Sequence, residues 1–186
     1  VRICFLTNPH SPSGILMDND DIGRVCEAAG DRLVVLDEAY VHFSQTNGGM
    51  DLLQSFDNLI VLRTFSKAFG LAGLRIGFGI AKPNIIRPML AMKPTWNMGQ
   101  LQIAGGIAAL EDDAHVDRTV AMIVEMRAYV TERLSRLNSF RMVPGSRSNF
   151  FLVECLDPAW DSTRVFEALQ EKGVIVKDCS VSFRGL

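Results

Sequence analysis

The sequence predicts an α/β fold built on a mostly parallel sheet that carries one antiparallel strand. Three observations lead there. Residues 1–7, 32–37 and 59–63 are short runs of almost wholly apolar residues, the pattern of strands buried on both faces of a parallel sheet. A helical stretch at residues 18–29 separates the first two runs, at the spacing of a right-handed strand-helix-strand unit. The fourth apolar run, residues 74–81, follows the third after a loop of ten residues, too short to hold a crossover helix, so it is expected to turn back antiparallel.

The first helix should be capped by Asp18 or Asn19, present Ile22, Val25, Cys26 and Ala29 on one face, and stop at Gly30. Residues 44–50 read as a polar, glycine-rich loop and 51–56 as a short helical piece. Helices are expected at 83–92 and 97–111, divided by Pro94. A long amphipathic helix at 116–137 is marked by Val116, Val120, Ile123, Met126, Val130, Leu134 and Leu137 at spacings of three and four. Beyond Phe140 a turn-rich segment, a strand at 150–155, a helix at 162–172 and a short strand at 174–177 suggest a second unit. The boundary falls near residue 115, giving 1–115 and 116–186.

Composition narrows the function. Hydrophobic residues are 48% and charged residues 22% of the 186, the proportions of an ordinary globular chain rather than a disordered one. A net charge of −2 supplies no broad field for nucleic acid or anionic lipid, so neither is expected as a partner. The four cysteines are far apart and form no C-x-x-C pair, so no metal site is expected and a reducing cytoplasm is the natural setting. Residues 1–7 are too short for a signal segment, and no run approaches the ~20 apolar residues of a membrane span. Because the chain opens directly on a buried strand, it is expected to be part of a longer protein and to bind ligands poorly alone.

In open α/β sheets, ligands collect at the carboxyl ends of the strands. There the sequence places Asn8 with Pro9 and Gly14, then Asp37 and Tyr40, then Thr64, Ser66 and Lys67, and finally Arg75. Singly these are a turn, a helix cap, a solvated lysine and a pairing arginine. Together they match the demands of pyridoxal phosphate. Its aldehyde needs a lysine amine, here Lys67. Its phosphate needs hydroxyls and an arginine, here Thr64, Ser66 and Arg75. Its pyridine nitrogen needs a carboxylate, Asp37, and its ring oxygen needs donors, Asn8 and Tyr40.

The segments that carry these residues are N-P-H-S-P-S-G at 8–14, L-D-E-A-Y at 36–40 and R-T-F-S-K-A-F-G-L-A-G-L-R-I-G-F at 63–78. In order and spacing they resemble the signature segments of the fold-type-I, pyridoxal-phosphate-dependent aminotransferases, and the lysine segment is most similar to that of histidinol-phosphate aminotransferases. S-N-F-F-L-V at 148–153 and V-I-V-K-D at 174–178 add weaker support. The resemblance implies a three-layer, mixed sheet in a cofactor-binding large domain, a small α+β domain after it, and a homodimer with active sites at the interface. On that likeness residues 1–115 are the C-terminal part of the large domain, and 116–186 are a linking helix with an incomplete small domain. It also implies that Lys67 is both cofactor lysine and catalytic acid/base. His10, Ser11 and Ser13 depart from the family's usual first segment. The family's glycine-containing phosphate turn, its ring-stacking aromatic and its substrate-carboxylate arginine fall outside these residues.

The activity implied is amino transfer between histidinol phosphate, or imidazole-acetol phosphate, and glutamate or 2-oxoglutarate. Alternatives on the same fold are an aromatic or broad-specificity amino-acid aminotransferase and a threonine-phosphate decarboxylase. An inert binding module is a third alternative, disfavoured because it has no physical need for the complete residue set. Trp96 reads as packing rather than as a pocket wall. His42 and His115 read as surface or capping residues, and Met89, Met92, Met98, Met122 and Met126 as core.

Overall fold

A computed structural model describes residues 2–180. Strand β1 (Ile3–Thr7), helix α1 (Asn19–Ala29) and strand β2 (Leu33–Asp37) form the expected parallel unit, with Ile3 opposite Leu33 and Thr7 opposite Asp37. Strand β3 (Leu59–Thr64) lies parallel to β2, and β4 (Gly77–Ala81) returns antiparallel to β3, pairing Thr64 with Gly77. The four strands are ordered β1-β2-β3-β4.

Period-two alternation divides the apolar residues between two faces of this sheet. Val34, Leu36, Leu59 and Val61 meet Ile22 and Cys26 of α1, with Cys4, Leu6 and Phe56 packed around them. On the other face Val35 and Ile60 meet Ile85 of helix α2 (Pro83–Met92). Helix, sheet and helix make three layers, and each fully buried aliphatic side chain contributes roughly 1.5–3 kcal/mol. Helix α1 begins where Asp18 accepts the Asp21 amide at 2.8 Å, and ends at Gly30, whose φ of 58° is easy only for glycine.

Helix α3 (Gln100–Leu110) leads into the long α4 (Asp113–Leu134), which starts where Asp112 accepts the His115 amide at 3.0 Å. An antiparallel ribbon of β5 (Phe140–Met142) and β6 (Val153–Cys155) and helix α5 (Ser162–Glu171) complete the described chain. No helix among the described residues is long and apolar enough to cross a membrane.

Four expectations need correction. Residues 174–177 form no strand: Val174 and Ile175 are exposed, and Asp178 instead accepts from the Thr163 hydroxyl at the start of α5. Residues 140–142, where the sequence reading placed no strand, form one, because three residues are too few to show a period. The five methionines are not core: Met92 is 79% exposed, Met122 54%, and Met89, Met98 and Met126 are each at or above 40%. Helical spacing reports which residues share a face, not whether anything covers it. Trp96, 92% exposed, packs against nothing in the described chain.

The loop after β1 is tied to the loop between β5 and β6. The Arg147 amide donates to the Gly14 carbonyl at 2.7 Å, and Gly14 sits at φ 76° directly beneath the Ser146 hydroxyl. A β-carbon there would overlap that hydroxyl and strain the backbone. Gly14→Ala should therefore cost about 1–3 kcal/mol of stability, measured as a shifted urea midpoint in the full-length protein, while Gly145→Ala, with nothing within 4 Å of its added carbon, serves as the backbone-strain control.

Candidate active site

The parallel strands β2 and β3 end at one edge of the sheet, so the residues that finish them lie side by side. There a cleft of about 340 Å³ opens, lined by Asp37, Arg63, Thr64, Ser66, Lys67 and Arg75 with Ala39 and Leu62. Five of the seven residues singled out from the sequence share this cleft. The folding reason is local: β2 delivers Asp37, and β3 with the loop that turns into β4 delivers the other four.

Asp37 Oδ1 accepts the Ala39 amide at 3.0 Å, which turns the chain away from the sheet and aims the carboxyl across the strand end. The Thr64 hydroxyl accepts from the Ser66 amide at 3.1 Å and donates to the Ile76 carbonyl at 3.2 Å. With the Phe65 amide donating to the same carbonyl at 3.1 Å, these bonds close the neck of the loop over residues 65–76. Buried Phe65 and Ala68 anchor that loop from beneath. Lys67 is left on the outside, its Nζ 4.9 Å from the centroid of the Tyr40 ring. Arg75 is exposed at φ 55°, with Nη1 donating to the Ala72 carbonyl at 3.0 Å.

Asn8 and Tyr40 stand beside the cleft rather than in its lining. Asn8 is buried, and its amide closes the loop after β1: Oδ1 accepts from the Met17 amide at 2.8 Å while Nδ2 donates to the Met17 carbonyl at 3.1 Å. One N–H of that side chain remains for another acceptor. The Tyr40 ring meets Phe150 edge-on at 4.8 Å, so the segment between β5 and β6 supports the wall on which Lys67 rests. Arg127 of α4 strengthens that junction by donating to the Ser148 carbonyl at 2.8 Å.

Sequence reasoning passed over the most deeply buried charge at this edge. Glu38 is fully buried and accepts from Arg63 Nε at 3.0 Å and Nη2 at 2.9 Å, and from the Gly49 amide at 2.5 Å. Burial pushes its carboxyl above the ordinary glutamate range, opposed by the Gly49 and Arg63 hydrogen bonds and the Arg63 charge. Arg63 also donates to the Asn47 carbonyl at 2.8 Å, so its guanidinium is committed to structure and Arg75 is the arginine left to face an anion in the cleft. The usable sequence signal was Gly48-Gly49, a pair that permits close approach to a neighbour.

His42 also departs from its expected surface or capping role. Its Nδ1 is buried with no partner among the described residues and its ring meets Phe69 edge-on at 5.2 Å. Burial, reinforced by the Arg63 charge, lowers its pKa. His115 is exposed at the start of α4, as expected.

An α/β sheet with this lysine loop over its carboxyl edge defines a class, and the chain belongs to the aminotransferase class I and II family, which matches residues 1–184. Among curated relatives it is 36% identical over 185 residues to the histidinol-phosphate aminotransferase of Methanosphaera stadtmanae, covering all of this chain and 49% of that protein. It is 37% identical over 185 residues to the corresponding enzyme of Methanothermobacter thermautotrophicus, covering all of this chain and 48% of that protein. The chain thus spans about half the length of the curated relatives it matches. Among solved structures, the L-threonine-O-3-phosphate decarboxylase of Porphyromonas gingivalis superposes with a TM-score of 0.86 at 26% identity, over all of this chain and 57% of that one. The histidinol-phosphate aminotransferase of Sinorhizobium meliloti, solved in complex with pyridoxal-5'-phosphate, superposes with a TM-score of 0.84 at 27% identity, over 95% of this chain and 49% of that one. The expected three-layer fold and family are borne out.

Proposed function

We propose that the protein catalyses pyridoxal-phosphate-dependent amino transfer between histidinol phosphate, or imidazole-acetol phosphate, and the glutamate/2-oxoglutarate pair. The observation that carries this reading is the cleft itself, where one carboxylate, one amine, two hydroxyls and two guanidiniums converge at a strand edge, Arg63 being bound to Glu38 and Arg75 left for an anion. The donor set fits the cofactor. Asp37 would offer a carboxylate to the pyridine nitrogen, and Thr64, Ser66 and Arg75 would hold the phosphate. The Asn8 N–H that remains and the Tyr40 hydroxyl would be the donors to its ring oxygen. When bound, the cofactor supplies an electron-accepting ring that stabilises negative charge at the substrate Cα. Lys67, exposed on a loop anchored at its neck, would hold the cofactor through its aldehyde and would take up and return the proton at the substrate Cα. Thr64 orients the Ser66 amide and keeps Lys67 and Arg75 on one loop.

The whole protein is proposed to act as a cytoplasmic homodimer, with residues 1–115 in the cofactor-binding domain and 116–186 in the linking helix and part of the small domain. The relatives' names support the substrate. The full-length protein should rank histidinol phosphate above aromatic amino acids and these above aspartate, read as kcat/KM with 2-oxoglutarate as acceptor. A tenfold preference for phenylalanine or tyrosine would assign it instead to the aromatic aminotransferases.

The likeness to the Porphyromonas gingivalis decarboxylase favours a second reading. Carbon dioxide release from L-threonine O-3-phosphate, with no amino transfer to 2-oxoglutarate, would establish it.

A further inference from the structure

We propose that Glu38 and Arg63 are positioning residues for the cofactor cleft, a buried clamp that locks the ends of β2 and β3 to the Gly48–Gly49 turn and sets the separation of Asp37 from Lys67. The inference rests on the cofactor reading above. The clamp is geometrically complete. Both oxygens of the Glu38 carboxylate are occupied, Oε2 by Nε and Nη2 of Arg63 and Oε1 by the Gly49 amide. Arg63 then reaches across to the Asn47 carbonyl, so one guanidinium spans strand β3, the carboxyl that follows β2 and the turn beyond. A planar fork can hold these partners together, whereas an ammonium on a flexible stem cannot hold the same three bonds.

The turn is shaped for this carboxylate. Gly48 adopts φ 63°, and a β-carbon on it would overlap Glu38, while one on Gly49 would press on Leu36. The Glu38 amide donates to the Leu62 carbonyl at 2.8 Å, extending the β2–β3 ladder one step past Asp37. Asp37 therefore precedes the clamp by one residue on β2, and Thr64 follows it by one on β3, with Lys67 three further on. Buried charge is a poor device for stability alone, since an apolar pair of similar volume often serves as well. At the floor of a cleft, a directional fork that fixes the relation of two strand ends has a use that an apolar pair lacks.

The test uses the full-length protein and three variants, Glu38→Gln, Arg63→Lys and the charge-free Glu38→Gln/Arg63→Met, each checked for folding by circular dichroism. Two quantities are read: amide hydrogen exchange at Gly49 and residues 64–67 without cofactor, and pyridoxal phosphate affinity by fluorescence titration. The expected result is at least tenfold faster Gly49 exchange and at least tenfold weaker affinity in the folded double variant. Arg63→Lys, which retains both charges, should lose at least threefold in affinity and decides the matter if the double variant does not fold. A folded double variant with wild-type affinity overturns the inference whatever its exchange rates, because the pair would then support the fold alone. Wild-type protein that takes up no pyridoxal phosphate overturns the cofactor reading, and the inference with it; the two failures are told apart by which protein fails to bind.

Discussion

Replacing Lys67 with alanine in the full-length protein should abolish the borohydride-trappable attachment of pyridoxal phosphate and reduce amino transfer by on the order of 10²–10⁴-fold or more, the range for removing a positioned general acid or base. The structural ground is that Lys67 is the lysine lining the cleft, held outward by the buried Phe65 and Ala68 on either side of it. Peptide mass spectrometry of the reduced protein should find the adduct on Lys67. Finding it on Lys93 or Lys172 would refute the assignment.

Asp37→Asn should leave the fold intact and slow turnover by roughly two to four orders of magnitude. Breaking a buried, charge-assisted pair costs about 3–5 kcal/mol, and at 1.36 kcal/mol per tenfold that loss converts to the stated range if it falls on the transition state. The Ala39 amide that Asp37 now binds can be accepted equally by the asparagine oxygen, so the loop geometry should survive the change. The measurement is single-turnover rate at saturating cofactor. Near-normal turnover would remove Asp37 from its assigned role.

Elements that bury themselves against their sequence neighbours were legible before the structure. The apolar runs of β1, β2 and β3, the cap at Asp18, the stop at Gly30 and the return of β4 all depend on spacing within a few tens of residues, but β1, expected to be buried on both faces, is covered on one alone, with Phe5 71% exposed on the other. The long helix was found but displaced, because periodicity locates a face whereas the Asp112 cap decides where the helix begins. The candidate site was legible to the extent that its residues end strands or lie on the loop between β3 and β4: Asp37, Thr64, Ser66, Lys67 and Arg75 meet in one cleft. The Glu38–Arg63 pair was not, since the two residues are 25 positions apart and their partnership depends on the register of β2 against β3. The exposure of Met92 and Met122 was equally hidden, being a property of what surrounds a helix.

The hydrogen-bonded neck at Thr64, Phe65 and Ile76 makes residue number, more than residue identity, the quantity that the lysine loop must preserve. Thr64 pairs with Gly77 at the first rung of the β3–β4 hairpin, so the chain between them has a set length, and Lys67 and Arg75 are two marks on one measuring tape. Gly73, with nothing within 4 Å of an added β-carbon, can accept a side chain without disturbing either mark. A single inserted residue would either slip the hairpin register, turning each β4 side chain to the opposite face, or bulge the loop and carry the guanidinium away from the amine. In directed evolution, libraries that substitute at Gly73 should therefore retain active clones, whereas libraries that insert or delete one residue between Ser66 and Arg75 should retain almost none.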